Sequence, residues 1–67
     1  MKKGTVKWFN NEKGYGFIIG EDGKDIFVQY SGIKGDGFKT LDTDQKVEYR
    51  TVQGEKGITA VDVTVIE

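Results

Sequence analysis

Sixty-seven residues make one small domain, near the size at which a single hydrophobic core is only just sufficient. The absence of cysteine excludes disulfides, thiolate metal sites and cysteine nucleophiles, and the absence of histidine removes zinc chemistry and the usual general base at neutral pH. The formal net charge of −1 hides an uneven layout: residues 1–13 set Lys2, Lys3, Lys7 and Lys13 against Glu12 alone, while the rest of the chain is acid-rich.

In chain order, strand signals dominate and no window shows a convincing helical period. A first strand is predicted over about Lys2 to Asn10, with a bulge between the inward groups Val6 and Phe9. After a break at Asn11–Gly14, a second strand covers about Tyr15 to Ile19. The run Gly20-Glu21-Asp22-Gly23-Lys24 is dense in turn chemistry, and a third strand follows over about Asp25 to Gln29, completing an antiparallel meander. Residues 30–45 form a long connection, of the kind that is usually functional, with Ile33 and Leu41 as inward anchors. A fourth strand, about Lys46 to Gln53, puts Val47, Tyr49 and Thr51 on one face, which assigns Tyr49 a structural role. Beyond the turn Gly54–Gly57, a fifth strand runs from about Ile58 to Ile66, with Val61, Val63 and Val65 alternating against Ala60, Asp62 and Thr64. The fold class that follows is all-β, a small five-stranded antiparallel barrel of the OB type forming a single domain. The chain has no proline, so no strand loses a ladder donor and no prolyl isomerisation slows refolding.

Alternation sorts the second and third strands into two faces. Tyr15, Phe17 and Ile19 share one side of the second strand, with Gly16 and Ile18 on the other. Aliphatic residues are the better core fillers, so Ile18, Ile26 and Val28 turn inward and Tyr15, Phe17 and Phe27 are left together outside. A patch of three rings is more apolar surface than a monomer normally exposes without a purpose. With Trp8 nearby and Lys7 and Lys13 beside it, such a surface suits stacked bases and neutralised phosphates.

The run Lys13-Gly14-Tyr15-Gly16-Phe17-Ile18 resembles the first RNA-binding motif of the cold-shock domain family, and Ile26-Phe27-Val28-Gln29-Tyr30 resembles the second. Gly4-Thr5-Val6-Lys7-Trp8-Phe9-Asn10 and Gly35-Asp36-Gly37-Phe38-Lys39-Thr40-Leu41 extend the likeness to essentially the whole chain. RNA-recognition-motif domains use a similar short string but need two helices, for which this chain has no pattern. The resemblance implies a barrel that binds single-stranded RNA and DNA and acts as an RNA chaperone, with stacking by Trp8, Tyr15, Phe17, Phe27, Tyr30 and Phe38. It also implies Lys7, Lys13, Lys39 and Lys56 near the ligand backbone or base edges, and exposed base edges hydrogen-bonded to Asn10 and Asp25.

Two positions depart from the family pattern. Gln29 stands where histidine is usual; an amide hydrogen-bonds a base edge but is a poorer stacking plane, which implies lower affinity or altered base preference. Ile58 stands where proline is usual, beside Lys56.

The remaining residues carry little chemistry. Asp42 and Asp44 lack the glycine and terminal glutamate of an EF-hand loop, and Ser31 has no histidine to activate it. No glycine cluster ends in the Gly-Lys-Ser/Thr of a phosphate-binding loop. The expectation is therefore a non-enzymatic, cytoplasmic monomer with no cofactor, no metal and no membrane partner; the N-terminal lysines are not followed by an apolar stretch. The alternative is an SH3-like module that holds an extended peptide on the same rings.

Overall fold

The computed structural model describes residues 1–35 and 39–66. Five strands form in sequence among these residues: β1 (Lys2–Asn10), β2 (Tyr15–Gly20), β3 (Asp25–Gln29), β4 (Lys46–Gly54) and β5 (Gly57–Val65), with a 3-10 turn at Tyr30–Gly32 after β3. They close into a barrel in the order β1-β2-β3-β5-β4. The all-β, five-stranded barrel is thus the observed fold, and every strand lies within a residue or so of its predicted span. Closure runs through a parallel pairing of β3 with β5, where Phe27 meets Thr59 and Val28 meets Ala60; the other neighbouring strands run antiparallel.

Alternation decides what fills the interior. Val6, Ile18, Val28, Val47, Ala60 and Val63 are completely buried, with Tyr49, Leu41 and Ile33 nearly so, and Phe9 and Ile26 pack against them. Leu41 and Ile33 act as the predicted anchors of the long connection. Ile33 bridges to Val63, and the Lys34 amide donates to the Val63 carbonyl at 2.8 Å. The far side of that connection is tied to β1, with Asp44 N–H donating to the Val6 carbonyl at 2.8 Å and Val6 N–H to that of Gln45 at 2.9 Å.

Tyr49 is the largest fully buried side chain, as its position in β4 implied. Burial pushes its phenol above the ordinary tyrosine range, and the carboxylates of Asp22 and Glu21 push it the same way.

Two bulges set which residues face out. In β1, Val6 pairs with Ile18 and Trp8 with Phe17, so Lys7 is an extra residue between them. Val6 therefore stays inside, Lys7 and Trp8 both turn out, and Phe9 returns to the core. In β5, Thr64 pairs with Glu48 and Val61 with Arg50, which again inserts one residue. Asp62 adopts φ 53° there and accepts a hydrogen bond from Arg50 Nε at 2.7 Å. This bulge overturns the simple alternation expected for β5. Ala60 and Val63 are the buried residues, while Val61 is half-buried and Val65 exposed.

Candidate nucleic-acid interface

The outer face of β1, β2 and β3 gathers four rings. Trp8 pairs across the sheet with Phe17, and Phe17 with Phe27, so these three form a lateral row. Their centroids lie 5.4 Å apart for Trp8–Phe17 and 5.8 Å for Phe17–Phe27, both in edge-on geometry. Tyr15 sits on the same side, 5.7 Å from Trp8 and 5.9 Å from Phe27. Edge-on pairs at these separations are favourable and hold each ring in place. Trp8 is 38% exposed, and Tyr15, Phe17 and Phe27 are half-buried, so the row keeps open area for a flat ligand.

Glycine makes that arrangement sterically possible. A Cβ on Gly16 would run into the Trp8 carbonyl oxygen and come 2.7 Å from Phe9 Cα. The residue between Tyr15 and Phe17 must lack a side chain for β1 to lie so close. Gly14 has φ 77°, its carbonyl accepts from Tyr30 N–H at 2.8 Å, and a Cβ there would sit 3.0 Å from the Tyr30 ring. Tyr30 is thereby held beside the turn with 59% of its surface exposed. A depression of about 470 Å³ results, with Tyr15, Phe27, Gln29 and Tyr30 around it and the cationic chains of Lys13 and Lys56 at its margins.

The other predicted site residues fall into distinct situations. Lys7 and Asp25 are brought together, with Lys7 Nζ donating to Asp25 Oδ2 at 2.8 Å and both side chains nearly half exposed. A pair this wet is worth about 0–1 kcal/mol, so a ligand phosphate or base edge can compete for either partner. Asn10 Oδ1 accepts from Lys13 N–H at 2.9 Å, and Gly14 N–H donates to the Asn10 carbonyl at 2.7 Å. Asn10 thus shapes the turn that presents Lys13, and its NH₂ is what remains for a base edge. Lys39 is half-buried. Phe38 lies outside the described residues.

Sequence reasoning missed two outward residues, Thr59 and Val52, which extend the row beyond Phe27. Their place depends on β3 meeting β5, a pairing between distant segments that no local pattern announces.

Residues 2–66 match the family of the "Cold-shock" DNA-binding domain. The chain belongs to that family. Similar proteins include Cold shock protein 2 of Lactiplantibacillus plantarum, 62% identical over 63 residues, covering 94% of this chain and 96% of that protein. Cold shock-like protein CspLB of Listeria monocytogenes is 58% identical over 64 residues, covering 96% and 97% respectively. Cold shock protein CspB of Bacillus caldolyticus is 56% identical over 63 residues, covering 94% and 96%. Among solved structures, drosophila Unr CSD456 superposes with a TM-score of 0.79 over 98% of this chain at 21% identity, a likeness of fold alone. This chain spans about a quarter of that one, 26%. Nucleic-acid binding is the function class of this cold-shock domain. Among the described residues, no helix is long and apolar enough to cross a membrane.

Proposed function

We propose that this cold-shock domain binds single-stranded RNA and DNA by stacking unpaired bases on the row Trp8–Phe17–Phe27 and on the adjoining Tyr15 and Tyr30. The observation that carries the reading is the row itself: rings on neighbouring strands, oriented by mutual edge contacts and open to solvent, with Lys7, Lys13 and Lys56 around them. Each stacked base contributes about 1–3 kcal/mol, against about 1.4 kcal/mol for an average DNA duplex stacking step. The two terms are of similar size, so capture of single strands melts weak hairpins and leaves long duplexes intact, with no need for ATP. That balance is what an RNA chaperone requires. Stacking accepts any base face, so selectivity on the aromatic row is limited to a modest preference for thymine- or uracil-rich strands. The protein acts as a cytoplasmic monomer.

Trp8 is the only tryptophan, so its fluorescence reports directly on the site. Titration with hexathymidine at low salt quenches it if the reading is right. Silence toward hexathymidine, together with a response to a proline-rich peptide, would favour the SH3-like alternative.

A further inference from the structure

Trp8, Phe17, Phe27, Thr59 and Val52 are successive cross-strand neighbours around the five strands of the barrel. Directly opposed residues project to the same face of a sheet, so the surface that begins with Trp8 continues past Phe27 onto β5 and β4. Val52 is an aliphatic side chain left 40% exposed at the far end of this row. Between Phe27, Thr59 and Val52 lies a depression of about 330 Å³, rimmed by Gln29 of β3 and by Glu55 and Lys56 of the β4–β5 turn. That volume lies at the lower end of the range for small-ligand pockets, about 300–1,000 Å³. Thr59 already turns its hydroxyl to the Gly57 carbonyl at 3.2 Å.

We propose that this depression is an additional base site, which takes a guanine of the same strand that lies on the aromatic row. The inference rests on the nucleic-acid reading above. Phe27 and Val52 supply apolar walls for a planar ring, and Glu55 supplies a carboxylate at the rim, which when ionised only accepts hydrogen bonds. Guanine presents two adjacent donors on its pairing edge, N1–H and the exocyclic N2–H₂, and these match the two carboxylate oxygens. Uracil and thymine flank their single donor with two carbonyl oxygens, which a carboxylate repels. Lys56 stands beside Glu55, where it offsets that charge and reaches the adjoining phosphate. The aromatic row is tolerant of base identity; the site at the β4–β5 turn is not.

The test compares hexathymidine with heptamers that add one guanosine, one thymidine or one abasic residue at either end, read by Trp8 fluorescence. At one end, guanosine tightens binding about tenfold over the abasic residue, the effect of one good bidentate contact. Glu55→Gln and Val52→Ser each remove most of that gain while hexathymidine affinity and the far-ultraviolet circular dichroism stay as they were. Equal binding of guanosine and abasic heptamers at both ends overturns the site, as does a gain that survives both substitutions. Normal hexathymidine binding in those cases leaves the general function standing. Loss of hexathymidine binding to the unsubstituted protein sinks both.

Discussion

Phe17 and Ile18 are chain neighbours on opposite faces of β2, and substituting each in turn separates the proposed ligand contact from folding. Phe17 sits mid-row between Trp8 and Phe27, half-buried, while Ile18 is 0% exposed in the core. Phe17→Ala removes one stacking platform, worth about 2 kcal/mol of binding. At about 1.4 kcal/mol per factor of ten, hexathymidine affinity falls roughly 30-fold. It also removes two edge contacts, with Trp8 and with Phe27. Each contributes about 0.5–1.5 kcal/mol, so stability drops by about 1–3 kcal/mol and the domain remains folded. Ile18→Val deletes one core methylene and costs about 0.5–1.5 kcal/mol. That lowers Tm by about 4–8 °C per kcal/mol for a domain of this size, with affinity unchanged. Isothermal titration calorimetry and urea unfolding on both variants supply the four numbers. A Phe17→Ala protein that binds normally, or an Ile18→Val protein that loses affinity while fully folded, would refute the assignment of faces.

Further outcomes follow from charge, burial and backbone packing. With Lys7, Lys13 and Lys56 as phosphate partners, a plot of log affinity against log salt concentration has a slope of about −2, measured by titration from low to moderate salt. Binding is flat from about pH 5.5 to 8, because the chain has no histidine to titrate there; Gln29→His introduces a pH dependence in that window. The buried Tyr49 phenol favours its neutral form, so its contribution is fully present below about pH 10 and is lost as pH rises through its elevated folded value. Denaturant midpoints from pH 8 to 11.5 therefore fall at the alkaline end, and less steeply in Tyr49→Phe. Gly16→Ala drives a methyl against the Trp8 carbonyl and Phe9 backbone, and costs several kcal/mol of stability by circular-dichroism melting.

Much of the fold was legible because strands obey a period of two and turns use a small set of residues. Ile18, Ile26 and Val28 turned inward as aliphatic packing demands, and the bulge between Val6 and Phe9 was implied by two inward groups at an odd spacing. The rings of Tyr15, Phe17 and Phe27 were placed outside by the same parity. The β5 alternation failed because Asp62 takes a left-handed conformation, which reverses the faces between Ala60 and Val63. Aspartate in that region is uncommon, and its partner Arg50 is distant in sequence, so no local signal marks it. Thr59 and Val52 were missed for a related reason: they join the outer row only through a pairing of β3 with β5.

That pairing has one more effect. A sheet with an open side offers a row of unused amides and carbonyls to any passing polypeptide, and sticky rings nearby would make the invitation worse. Here the ladder circles back on itself, so no strand behind the rings is left open along its whole length. Closure thereby shortens the exposed edge on which one copy of the protein could template another.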